Sequence, residues 1–156
     1  MDKDKQKFYL TPEGLAKLKK EYTELKDKKR PQAVERLSRA REFGDLTENS
    51  EYFAARDDLM FLDDRIAELE NILKNVEIVK TPKAHGTVQL GSTVVVEVNG
   101  QMKQKFTIVG TLEADPFRGK ISNESVVGKA LLNHKVGDEI TVSSSVKTNY
   151  RIESIG

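Results

Sequence analysis

From Tyr52 to Val76 the apolar residues Tyr52, Ala55, Leu59, Leu62, Ile66, Leu69, Leu73 and Val76 recur alternately three and four residues apart without a fault. That period places them on one stripe of an α-helix that winds against a partner helix. A chain with such a stripe must supply a second one or borrow it. Upstream, Leu15, Leu18, Tyr22 and Leu25 follow at spacings of three, four and three. Thr11 is a fitting N-cap for that helix, Pro12 suits its first position, and Glu13 adds negative charge to its first turn. Pro31 disturbs it, because proline inside a helix removes a hydrogen bond and strikes the preceding turn. The stripe loses phase there before Val34, Leu37 and Ala40 resume it. A kink within one continuous element is expected.

The two stripes are joined by Phe43-Gly44-Asp45-Leu46-Thr47-Glu48-Asn49, a connection so short that the helices must run antiparallel. Charge favours the pairing. Residues 12–41 carry ten Lys/Arg against five Asp/Glu, a net of +5, and residues 48–77 carry three against nine, a net of −6. Two helices of about 30 residues make a rod on the order of 45 Å long.

Past Lys80-Thr81-Pro82-Lys83 the pattern becomes β. Thr93 to Val98, an Asn99-Gly100 turn and a run to Val109 read as a hairpin. Asp115-Pro116 and Arg118-Gly119 mark turns, Glu124 to Leu132 reads as a short helix, Gly137-Asp138 precedes a strand at Ile140 to Val142, and Tyr150 to Ile155 alternates as a last strand. The expected fold is α+β: a coiled-coil hairpin over residues 1–79, then a small antiparallel β domain with one helix over 80–156.

The bulk composition excludes several functions. With 26 Lys+Arg against 25 Asp+Glu the net charge is +1, so no global excess favours duplex nucleic acid or an anionic membrane. No cysteine is present, which rules out disulfides, thiolate metal sites and cysteine nucleophiles. No signal-peptide core or membrane-spanning run is found, and a cytoplasmic protein is expected.

The chemistry-bearing candidates cluster at the turn. Asp45 and Glu48 have the spacing of a capping box, in which each satisfies a backbone donor of the following helix. The same pair also suits a hard divalent cation such as Mg²⁺, which takes one or two protein carboxylates and keeps other positions for water and phosphate. Both readings stand. Two carboxylates make an incomplete site, so metal chemistry at this tip requires ligands from another molecule. Arg39, Arg41 and Arg56 are placed to steer phosphate or to balance Glu42 and Glu51. Tyr52 and Phe53 read as hairpin core rather than base-stacking platforms. His85 and His134 have no second ligand at metal spacing and read as surface residues.

The run RRPQAVERLSRAREFGDLTENSEYFAAR, with TPEGLAKLKKEY before it, resembles the bacterial Gre-type transcript cleavage factors, and ISNESVVGKALLNHKVGDEITV resembles that family's second recurring stretch. Val126 departs from a usual proline, and Asn133-His134 from a usual Gly-Lys. The resemblance implies a hairpin that enters the secondary channel of bacterial RNA polymerase and a C-terminal domain of FKBP-like fold that binds the polymerase. It implies that Asp45 and Glu48 act on the backtracked RNA 3′ end by completing a Mg²⁺ site shared with the polymerase. Arg41, Asn49, Tyr52 and Arg56 are then supporting residues, and Ser122, Asn123, Glu124 and Ser125 candidate polymerase contacts. On this reading the protein is a monomer that holds no metal stably by itself and is not an enzyme on its own. Two alternatives are carried. The hairpin docks in or plugs the channel without stimulating cleavage, although Leu46 and Thr47, which are not acids, favour the cleaving form. Proline isomerisation follows from the fold alone, and Phe106, Phe117 and Tyr150 are thin material for its apolar pocket.

Overall fold

A computed structural model describes residues 6–44, 48–80 and 86–156. Its α+β organisation matches the expected class, in two compact units: Leu15–Asn75, and Gln6–Gly14 together with Val76–Gly156. Two short strands, β1 (Phe8–Leu10) and β2 (Val76–Ile78), pair in parallel, Phe8 opposite Val76 and Leu10 opposite Ile78. Both strands belong to the second unit.

The first unit is the antiparallel hairpin. Its first arm comprises α1 (Pro12–Glu24), a π-helical turn (Leu25–Lys29) and α2 (Arg30–Arg41); its second arm is α3 (Ser50–Lys74). Thr11 caps α1 as expected, its Oγ1 accepting from the Gly14 amide at 3.1 Å. Cross-arm contacts fix the register. Tyr22 donates to Glu70 at 2.9 Å and Arg30 to Asp63 at 2.7 Å, the partners moving oppositely along the two arms, and Arg65 donates to Glu21 at 2.9 Å.

Pro31 is accommodated without breaking the helix. The Arg30 amide donates to the Leu25 carbonyl five residues back, so the turn before the proline is one residue wider than an α turn. This wide turn also accounts for the lost phase. Two ordinary turns would carry the stripe seven residues beyond Leu25, and the extra residue makes it eight, to Ala33. Ala33, Leu37 and Ala40 are accordingly covered, whereas Val34, expected on the stripe, is 41% exposed.

Leu25, Ile66 and Leu69, with Leu18, Tyr22 and Leu62 against them, form the hairpin core. Nearer the turn the fully buried residues are Ala40 and Ala55, flanked by the half-buried Leu37 and Tyr52.

In the second unit a five-stranded sheet has the order β5-β4-β3-β7-β6, with β3 Thr93–Val98, β4 Met102–Val109, β5 Lys120–Ser122, β6 Glu139–Ser143 and β7 Lys147–Ile155. Asn99 and Gly100 both take positive φ to turn β3 into β4, as their sequence signature requires. Val94, Val96, Ile108, Ile140, Val142, Tyr150 and Ile152 face the core at alternate positions, and Leu131 of α4 (Val126–Leu131) covers them. The sheet is not purely antiparallel as expected. β5 pairs in parallel with β4, because the intervening segment crosses over through two 3₁₀ turns, Thr111–Glu113 and Pro116–Arg118.

The loop before α4 packs so tightly on it that residue 128 must be glycine. A Cβ there would lie 2.0 Å from the Ser122 carbonyl oxygen. Gly128→Ala is expected to cost about 2–3 kcal/mol, read as a lowered denaturation midpoint of the second unit, while the helical signal of the hairpin is retained.

Candidate functional site at the hairpin tip

The turn between α2 and α3 is organised by Asn49. Its Oδ1 accepts from the Tyr52 amide at 3.0 Å, the N-cap of α3, and its Nδ2 donates to the Ala40 carbonyl at 2.7 Å near the end of α2. Each helix end leaves backbone groups without intrahelical partners, and one amide side chain satisfies one at each end. The sequence-based capping box is therefore corrected. The helix starts at Ser50, so Glu48 precedes the cap and does not occupy the first turn.

Glu48 is exposed and forms no ion pair with any described residue. Asp45, with Leu46 and Thr47, lies outside the described residues, as does His85. Among the described residues no three His, Cys, Asp or Glu side chains gather to hold a metal. Glu48 has the hard oxygen chemistry that Mg²⁺ takes, and as one carboxylate it needs further ligands.

Below the turn, Arg36 grips the facing helix. It donates to both Glu51 oxygens at 2.7 and 3.1 Å and to Asp58. The fork holds the Glu51 carboxyl below the usual carboxylate range and raises the Arg36 guanidinium. Glu51 is thus neutralised by Arg36 and not by Arg39 or Arg41, since Arg39 lies 3.7 Å from Glu35.

Of the supporting residues named from the sequence, Arg41 meets Tyr52, whereas Arg56 meets Phe53. The Arg41 guanidinium lies 5.9 Å from the Tyr52 ring centroid, and that of Arg56 lies 5.1 Å from the Phe53 centroid. Tyr52 and Phe53 meet edge to face, 5.6 Å apart. Tyr52 is half-buried, in keeping with a core role. Phe53 is 38% exposed, so its assignment to the hairpin core is corrected: it follows Tyr52 directly and points off the stripe.

In the second unit, Ser122–Ser125 form a closed loop. Ser125 caps α4 by accepting from the Gly128 amide and donates to the Ser122 carbonyl at 2.6 Å. Thr111 bonds the Ser122 hydroxyl at 2.9 Å and donates to Glu124 at 3.0 Å. Beside this loop lies a cavity of ≈ 170 Å³ lined by Phe8, Tyr9, Gly110, Leu112 and Asn123 among others. The sequence reading missed it, because β1 reaches it only through pairing with a strand remote in sequence.

Comparison with known proteins gives a consistent result. A family model described as "Transcription elongation factor, N-terminal" matches residues 8–78, and "Transcription elongation factor, GreA/GreB, C-term" matches residues 83–156. A protein of Listeria welshimeri called "Transcription elongation factor GreA" is 48% identical over 95% of this chain and 94% of its own. One of the same description from Staphylococcus saprophyticus is 46% identical over 91% and 90%. Among solved structures, GreA factor homolog 1 of Thermus thermophilus is 28% identical over 97% of this chain and 99% of its own, with a TM-score of 0.45. GreA/GreB from Nitrosomonas europaea is 28% identical over 64% and 88%, with a TM-score of 0.42.

Two outcomes are expected. Asn49→Ala removes both bonds of the clamp and costs about 1–2 kcal/mol, seen as faster hydrogen exchange at the Tyr52 amide. Asn49→Asp, which keeps the acceptor but loses the donor, recovers part of that protection. Glu51 has a depressed folded pKa, so the stability it contributes is complete above its unfolded value of about 4.3 and is lost as pH falls through the lower folded value. Acid titration of helicity will show loss below about pH 4.3, and Arg36→Met removes the Glu51 share of that dependence.

Proposed function

The chain belongs to the GreA/GreB family of transcription elongation factors, and on that premise we propose that it stimulates hydrolytic cleavage of the backtracked RNA 3′ end inside RNA polymerase. The hairpin enters the polymerase's secondary channel and brings the Asp45–Glu48 turn to the extruded transcript. The catalytic centre belongs to the polymerase, and this chain completes it. When bound, Mg²⁺ shared with the polymerase favours a hydroxide nucleophile and stabilises the leaving 3′ oxygen.

The observation that carries this reading is the division of labour at the tip. Asn49 performs the capping on both sides of the turn. Glu48 stands exposed just before the helix start. Asp45, three residues before it, supplies the second carboxylate. A capping role would explain neither why the acids stand at the end of a long hairpin nor why another residue does the capping. A two-carboxylate clamp binds a divalent ion weakly in water, which confines activity to complexes where the polymerase and the RNA supply the remaining ligands.

Within that assembly Asp45 and Glu48 hold oxygens toward the ion and orient the attacking water. The loop Ser122–Ser125, braced by Thr111, presents the exposed Glu124 as a polymerase contact. No helix among the described residues is long and apolar enough to cross a membrane.

The test is RNA cleavage in a stalled, backtracked elongation complex. Asp45→Asn and Glu48→Gln are each expected to slow stimulated cleavage on the order of 100-fold, while competing with the unaltered protein for polymerase as before. Full cleavage by both variants defeats the reading. Wild-type protein that binds without stimulating cleavage establishes the plugging alternative.

A further inference from the structure

The middle of the hairpin carries an exposed apolar pair that its own seam does not use. Phe61 is 76% exposed and Met60 57%, among the exposed charges of Asp57, Asp58 and Asp64. Both lie off the stripe set by Leu59, Leu62 and Ile66, since adjacent helical positions face different ways. Neither belongs to the hairpin core. Leaving a phenylalanine ring in water is unfavourable, and no packing within the core offsets it.

A groove of ≈ 490 Å³ opens beside Phe61, its other walls supplied by Lys29, Ala33, Arg36, Ala55 and Leu62. Its origin is the π turn. The extra residue at Leu25–Lys29 brings Ala33 to the seam in place of Val34, and Ala55 on the other arm is equally small, so a hollow is left between the arms. The charges on the rim are unequally satisfied. Arg36 is committed to Glu51 and Asp58, whereas Lys29 forms no ion pair among the described residues. An apolar wall, a hollow floor and one uncompensated cation together form a socket for an apolar side chain that stands next to an acid.

We propose that this groove seats an apolar side chain, flanked by a carboxylate, from the wall of the polymerase's secondary channel. The proposal rests on the channel-entry reading above. Phe61 stands twelve residues beyond the cap at Asn49, about 18 Å along the helix axis, so the groove lies well behind the tip acids and takes no part in their chemistry. A hairpin that enters a channel must pass its middle along the wall, and this groove is the concave apolar feature the middle offers. Ring burial supplies the affinity, as aromatic anchors do at the centre of interfaces, and Lys29 selects an acidic neighbour. Phe61 and Lys29 are positioning residues: they set how far the hairpin advances and hold it there while Asp45 and Glu48 act.

The experiment measures binding of the full chain to RNA polymerase and the protein concentration that gives half-maximal cleavage in a backtracked complex. Phe61→Ala is expected to weaken binding roughly tenfold and to raise that concentration by the same factor. Ala33→Leu, which fills the hollow and keeps the ring, weakens binding similarly, and Lys29→Gln weakens it less and flattens its dependence on salt. Asp45→Asn acts instead on the cleavage rate at saturation. Circular dichroism checks helicity, which Phe61→Ala retains because the ring is outside the core. With p-benzoylphenylalanine in place of Phe61, irradiation joins the chain to polymerase at an apolar residue next to an aspartate or glutamate. Unchanged binding by Phe61→Ala, or cross-linking to RNA or to a second copy of this chain in place of polymerase, overturns the groove and leaves the carboxylate mechanism standing. Normal cleavage by both Asp45→Asn and Glu48→Gln defeats the carboxylate mechanism, and with weakened binding by Phe61→Ala it upholds the groove.

Discussion

One amide side chain sets the geometry on which the hairpin depends. The connection between the arms contains several residues able to cap a helix, Asp45, Thr47, Asn49 and Ser50 among them. The structure gives the role to Asn49, and chemistry explains the choice. The cap of α3 needs an acceptor, while the Ala40 carbonyl, which also accepts from the Phe43 amide at 3.3 Å, takes a second donor. An ionised aspartate has acceptors only, whereas an asparagine carries both. By meeting both needs, Asn49 fixes where α2 ends, where α3 begins and how far apart they are held. It also leaves Glu48 ahead of the first turn of α3, exposed.

The distal half of the hairpin is built differently from the proximal half. Leu25, Ile66 and Leu69 give the proximal part a conventional apolar core. Toward the turn the buried residues shrink to Ala40 and Ala55, and cohesion passes to the Arg36 fork on Glu51 and Asp58. Exposed ion pairs contribute little individually. A bidentate guanidinium with two partners adds directional register to that small energy, which two alanines cannot provide. Acid sensitivity follows from this arrangement, since charge holds part of the distal seam.

Legibility from sequence tracked how local each determinant was. The α3 stripe could be read because nothing interrupts its period from Tyr52 to Leu73. The first arm was read correctly as continuous, yet Val34 was placed on the stripe in error. The π turn at Leu25–Lys29 adds a residue that no heptad template contains, and Ala33 takes the position. The Asn99-Gly100 hairpin was legible since its turn residues dictate their own backbone. The parallel pairs Phe8–Leu10 with Val76–Ile78 and Thr107–Val109 with Lys120–Ser122 were not, because each joins short segments without a local signature. Asp45 and Glu48 stood out as a pair, but which residue capped the helix turned on the Ala40 carbonyl, invisible until the arms were docked. Phe53 was misplaced for a related reason. Its neighbour Tyr52 holds the seam, and adjacent helical positions cannot share a face.

On the proposed reading two tip carboxylates alone would make a weak metal site, and that bears on control. A complete cage of three or more carboxylates would load with metal in solution and expose RNA to cleavage wherever the two met. Two carboxylates at the end of a narrow hairpin lack the ligand count for that. Their affinity becomes useful once a partner provides the missing oxygens and excludes water, where each electrostatic contact strengthens. On the proposed reading cleavage would then be conditional on assembly, with no separate switch required. The hairpin, on the same reading, would serve that condition by delivering the acids to a site completed by the polymerase.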